Sequence, residues 1–146
     1  MTLGVALPPD YRDFLAARGR TELLVRLVDD SRELRFFASS ALIEQRDNFF
    51  NYVSRVPGTA NRFHTEHGIS LRDLVPVAEP TDVSSRLLIH LGKGEKFGRC
   101  YLWSHEDLGA LEAEQPSFKQ ALEALTQGIE RRDRDTLTFL DIYCED

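Results

Sequence analysis

Cysteine is scarce in this chain of 146 residues: there are two, Cys100 and Cys144, too few for a disulfide framework and with no spacing that pairs them. Cys100 lies inside a β-type run and reads as a small buried apolar side chain, the usual fate of a free thiol. No stretch approaches the roughly 20 apolar residues that a membrane helix needs. The first residues hold no basic segment followed by a long apolar one, so the expectation is a soluble, cytoplasmic protein. Positive charge is also short. Lys and Arg number 18 against 24 Asp and Glu, a formal net charge of −6, which argues against binding nucleic acid through its phosphates and favours a basic partner. Repeats and dividing linkers are missing too, so residues 1–146 are expected to form one domain. At that length roughly 70% of the unfolded surface can be buried, and folding needs neither disulfide nor metal.

The strongest pattern that is present lies in residues 85–107. Residues 86–91 (Arg-Leu-Leu-Ile-His-Leu) and 99–104 (Arg-Cys-Tyr-Leu-Trp-Ser) are rich in branched and aromatic side chains, and Gly92, Gly94 and Gly98 punctuate the segment between them. This spacing predicts a hairpin with a loop longer than a two-residue turn. Alternation puts Leu87 and Ile89 on one face and Leu88 and His90 on the other, with Cys100 and Leu102 opposed to Tyr101 and Trp103. Both faces are apolar. Such a hairpin belongs inside a sheet, covered by helices on one side and at least partly on the other.

Around the hairpin the chain supplies helices and further strands. Pro8 and Pro9 followed by Asp10 and Asp13 predict a helix start, with Tyr11, Phe14 and Leu15 along one side and Gly19 as the stop. Residues 22–28 and 34–38 read as paired strands across the turn cluster Asp29-Asp30-Ser31-Arg32. Ser39 and Ser40 are the expected caps of a helix carrying Leu42, Phe49, Phe50 and Val53, which Pro57-Gly58 ends. Residues 59–73 are polar with Phe63 and Ile69 as anchors, and stay open between a short helix and an ordered loop. Residues 74–80 read as a strand that Pro76 and Pro80 send to an edge or into irregular pairing. After Pro116, Ser117 and Gln120 have capping-box spacing. Phe118, Ala121, Leu122, Leu125 and Ile129 form the apolar stripe of that last helix, and Gly128 is its expected terminator. Residues 130–135 mix charge signs and read as a solvated face or linker, while residues 137–143 suit either strand or helix.

Three groupings resemble chemical sites, and in each the plainer reading is preferred. His64 and His67 stand at a spacing that can share a metal on a helix, but the order is not H-E-x-x-H and no third ligand is identifiable, so they read as surface histidines. Residues 92–98 match neither phosphate-loop spacing and join two strands, so no helix N-terminus would meet a phosphate. Ser104, His105, Glu106 and Asp107 offer a hydroxyl, an imidazole and carboxylates in a row, whereas a catalytic relay needs side chains that converge in space. No metal or cofactor is expected. Trp103 stays open between a core residue and an interface anchor.

Residues 7–15 (Leu-Pro-Pro-Asp-Tyr-Arg-Asp-Phe-Leu), 74–78 (Leu-Val-Pro-Val-Ala), 87–91, 98–107 (Gly-Arg-Cys-Tyr-Leu-Trp-Ser-His-Glu-Asp) and the Ser117-Phe118 opening of a Leu-rich helix, taken in this order, resemble the SUKH superfamily of cell-wall-assembly regulators and bacterial immunity proteins. The chain departs from that pattern at Arg18-Gly19-Arg20, where members commonly carry an Asn-Gly-Gly-like helix end, and residues 59–73 have no assigned counterpart. The resemblance implies an α+β domain with a mainly antiparallel sheet flanked by helices, and no catalytic residues. It also implies a protein-binding role, which in many bacterial members is the neutralisation of a toxin domain, often a nuclease, delivered between competing cells. An acidic surface suits a basic nuclease. The candidate partner-binding residues are Asp29, Asp30, Asp82, Glu106 and Asp107, at turns and strand ends, with Trp103 as a possible anchor. Direct contact with nucleic acid or membrane is not expected, and the oligomeric state stays open. Two alternatives stand beside this reading: a regulatory or scaffold module for an endogenous partner, and, more remotely, a small metal-dependent hydrolase using His64, His67 or His105.

Overall fold

Proline at the first helical position costs no hydrogen bond, because the N–H it lacks would have no partner there. The first helix, α1 (Pro9–Arg18), starts in this way. The computed structural model describes residues 6–18, 23–26, 33–80, 85–104, 111 and 113–131. Within α1, Tyr11 and Leu15 are buried and Phe14 packs against the same cluster, the expected stripe.

Strands β1 (Leu23–Arg26) and β2 (Glu33–Phe36) pair antiparallel, as the sequence pattern predicts, with Arg26 opposite Glu33. The chain then leaves the sheet for α2 (Leu42–Ser54) and α3 (Thr59–His67), each accompanied by a short 3-10 turn, at Ser39–Ala41 and Leu71–Asp73. It returns as β3 (Leu74–Pro80), β4 (Arg86–His90), β5 (Cys100–Trp103) and β6 (Ala113–Gln115), and ends its described part in α4 (Phe118–Arg131). Every strand runs antiparallel to its neighbour, and the order across the sheet is the order along the chain. This is the α+β architecture that the family resemblance implies, a sheet with helices on both faces.

The period-2 alternation of the central hairpin sorts the core into two layers. Leu87, Ile89, Cys100 and Leu102 meet Tyr11 and Leu15 of α1 and Phe118, Ala121 and Leu125 of α4. Leu88, Tyr101 and Trp103 meet Phe49 and Val53 of α2 and Phe63 of α3 on the opposite face. Fully burying one such leucine contributes about 1.5–3 kcal/mol.

Four expectations are corrected or resolved. Pro76 and Pro80 do not place β3 at an edge: it lies between β2 and β4, and its pairing with β4 shifts register between Pro76 and Ala78, the irregular pairing that was the other alternative. Ser39 and Ser40 do not cap α2. They form the 3-10 turn, and Ala41 precedes the helix with no side-chain cap, its own N–H already donated to the Ala38 carbonyl at 3.0 Å. Gly128 does not end α4, which continues to Arg131 with Gly128 buried. The cost of about 1 kcal/mol for a helical glycine is tolerated because the helix carries a long apolar stripe that holds it to the sheet. Residues 59–73 resolve into α3 and a 3-10 turn, with Phe63 and Ile69 buried as anchors and α3 bounded by Gly58 and Gly68 at φ of 84° and 67°. β6, three residues long, had no recognisable pattern. Residues 137–143 and most of 130–135 lie outside the described residues.

Candidate protein-binding site

An antiparallel sheet in chain order puts every second connection at the same end. Arg26 and Glu33, Pro80 and Arg86, and Trp103 and Ala113 are the strand ends at one such end of this sheet. The segments they bound contain Asp29, Asp30, Asp82, Glu106, Asp107 and Glu112, with Arg32 as the only basic residue. Six carboxylates against one guanidinium make up five of the chain's six net negative charges. The five acidic residues singled out from sequence are themselves outside the described residues. At the opposite end, the connection between β4 and β5 carries Lys93, Lys96 and Arg99 against Glu95.

At this end of the sheet the described side chains form a charged clasp beside an aromatic pocket. Glu79 on β3 accepts from Arg35 on β2 at 2.5 Å and from Arg86 on β4 at 2.9 Å, tying three adjacent strands. Burial lowers the pKa of Arg86, with Glu79 opposing and Arg35 adding to the shift. Ser85, next to it, is fully buried, and its hydroxyl has no hydrogen-bond partner among the described residues.

Arg86 faces Trp103 across the β4–β5 ladder. Trp103 is 2% exposed, which makes it a core residue by burial, yet it also lines an open pocket. Phe49 and Tyr52 of α2 meet its ring edge-on at 5.0 and 6.1 Å. With Gln45, Asn48 and Arg86 these three aromatics enclose about 180 Å³. Tyr52 is 45% exposed, and Val56, four residues on, is 43% exposed; these are the large apolar side chains most open to solvent among the described residues. Sequence reasoning missed Tyr52 as part of a site. The usable signal was an aromatic lying off the buried stripe of its helix, where apolar contact with the core does not account for it.

The other groupings are separated. His64 is exposed, whereas His67 is half-buried and its Nε2 accepts the Leu111 N–H at 3.3 Å. Ser104 is buried, and His105 lies outside the described residues. His90, buried on β4, has Nε2 3.8 Å from Asp73 Oδ2; burial lowers its pKa and Asp73 opposes that. Burial pushes the Cys100 thiol well above the usual range, so the nucleophilic thiolate is suppressed. Among the described residues no three of His, Cys, Asp and Glu gather in a way that could hold a metal ion. None of the described helices is long and apolar enough to cross a membrane.

No curated protein and no solved structure matches the chain. The family model described as SMI1 / KNR4 family (SUKH-1) matches residues 1–124, from before α1 into the middle of α4, and so takes in the whole sheet and the pocket. The chain belongs to the SMI1 / KNR4 family (SUKH-1).

Proposed function

We propose that this chain is a non-catalytic protein-binding domain, and that it acts as a bacterial immunity protein that binds and neutralises a cognate toxin domain with a basic surface, such as a nuclease. Membership of the SUKH-1 family is consistent with an interaction role. What supports the reading most is that the three segments whose bounding strand ends share one end of the sheet hold, in sequence, five of the six net negative charges. Charge of one sign concentrated on one part of a surface steers an oppositely charged partner and raises its rate of encounter. A nuclease that grips nucleic acid through phosphate contacts presents a basic surface by necessity. An acidic protein end laid over that surface competes with the phosphates. The site of action is the cytoplasm, where an incoming nuclease meets its substrate.

The test is co-expression with the toxin domain of a secreted protein encoded next to this chain. The expected outcome is restored growth of cells that otherwise arrest, together with a complex that stays intact through size-exclusion chromatography at low salt. Continued arrest with no complex would refute the reading.

A further inference from the structure

Building on that reading, we infer that the pocket between Trp103 and Tyr52 is the anchor of the binding surface, and that it receives one large apolar side chain, aromatic in preference, from a basic protein partner. The acidic segments supply encounter. The pocket supplies the contact that lasts.

Four observations carry this. First, the walls are already organised: Trp103 is held between the sheet and α2, with Phe49 set against it at 86° and Tyr52 at 89°, the edge-to-face arrangement that a further ring can extend. Second, about 180 Å³ is below the roughly 300 Å³ at which cofactor and drug-sized pockets begin, and suits a single side chain. Third, Tyr52, which lines the pocket, is one of the two most exposed large apolar side chains among the described residues. Fourth, the polar lining makes no demand for a charged occupant. Arg86 is engaged with Glu79 at 2.9 Å and with the Ser85 carbonyl at 2.7 Å, and Gln45 and Asn48 are neutral amides.

The pocket's place in the chain gives the partner's charge. Arg86 opens β4 directly after the segment that holds Asp82, and Trp103 closes β5 directly before the segment that holds Glu106 and Asp107. An apolar anchor inside a charged rim is the common anatomy of a protein interface. The segments that adjoin the pocket's Arg86 and Trp103 in sequence are acidic, which calls for cations around the partner's anchor residue. A second copy of this chain would bring the same acidic end against itself, which like-charge repulsion opposes.

The chain's single tryptophan is Trp103, so its fluorescence reports on the pocket without labelling. The probes are two lysine-rich peptides, alike except for one central residue, which is para-iodophenylalanine in one and alanine in the other. Iodine quenches tryptophan emission only on contact. The inference expects saturable quenching by the first peptide and none by the second, with the quenching affinity reduced about tenfold by Tyr52→Ala, the loss that about 1.4 kcal/mol of contact represents. Asn48→Phe, which plugs the pocket from an exposed helical position, gives the same loss should Tyr52→Ala fail to fold. Amide spectra at low salt separate the two failures. If both peptides shift resonances at the acidic end equally and Trp103 emission does not respond, the anchor is overturned while the acidic surface stands. If neither peptide shifts those resonances, the acidic surface falls and the anchor with it.

Discussion

Gly92 has no room for a side chain, because a Cβ there would lie 2.3 Å from Asp73 Oδ2 and 2.5 Å from its Cγ. Gly92→Ala must therefore displace the Asp73 carboxylate from its position near His90. The expected cost is about 1–2 kcal/mol in urea unfolding, in the range of other overpacked sites. The same substitution in an Asp73→Ala background should cost much less, as coupling between neighbours requires; an equal cost in both backgrounds would exclude the clash. His90 gives a prediction in pH. Its folded pKa lies below the ordinary value because burial penalises the imidazolium more than Asp73 favours it. As pH falls through the unfolded pKa of about 6.5, the unfolded chain takes up a proton that the folded chain resists, so the stability that is fully present above that unfolded pKa declines until the lower folded pKa is reached. His90→Gln should flatten that decline between about pH 7 and about pH 5, the window in which an unperturbed histidine titrates. An unchanged slope would assign the effect to other groups. Leu88, fully buried beneath α2 and α3, should cost about 2–5 kcal/mol on truncation to alanine.

At the level of elements, α4 is held at its start from two directions. Ser117 Oγ accepts the Gln120 N–H at 3.2 Å, and the carboxylate of Asp10, on α1, accepts the Lys119 N–H at 2.9 Å. Ser117→Ala and Asp10→Ala should each lower stability by about 1 kcal/mol in thermal unfolding, the usual worth of a helix cap. Retained stability in either variant would show that the N–H it serves is satisfied by solvent. The two caps differ in how far they could be read beforehand. The Ser117 and Gln120 spacing announces the first, whereas the second joins positions 109 apart in sequence and exists only because α1 and α4 pack together. The same division runs through the fold. The central hairpin, the Tyr11 stripe and the Phe118 stripe were legible because alternation and helical spacing are local signals. For β3 the prolines left an edge position and irregular pairing both open, and the register shift that decides between them is a property of the pair of strands. Gly128 misled because stopping power was read from residue type, whereas the packing of the whole stripe decides where α4 ends. For the site, the acidic turn residues could be named from sequence. Their relation to one sheet end followed only from the strand order, and Tyr52 entered only because α2 crosses above Trp103.

On the scale of the whole molecule, sequence charge divides unevenly among the connections: the three whose bounding strand ends share one end of the sheet hold six carboxylates against one guanidinium, and the β4–β5 connection holds Lys93, Lys96 and Arg99 against Glu95. A protein polarised in this way should orient a basic partner before contact, and its association should weaken as salt screens the field over a Debye length of about 8 Å at physiological ionic strength. The most direct measurement is the association rate of the toxin domain proposed as partner as a function of ionic strength, for the native chain and two triple variants of equal net charge. One carries Asp29→Lys, Asp82→Lys and Glu106→Lys at the acidic end; the other carries Asp13→Lys, Glu66→Lys and Glu95→Lys, all at exposed positions outside the acidic segments. The account predicts an association rate at least about tenfold lower and a flattened salt dependence in the first variant, with both largely kept in the second. Equal losses in the two variants would contradict it, since net charge would then govern encounter and the acidic end of the sheet would have no special part.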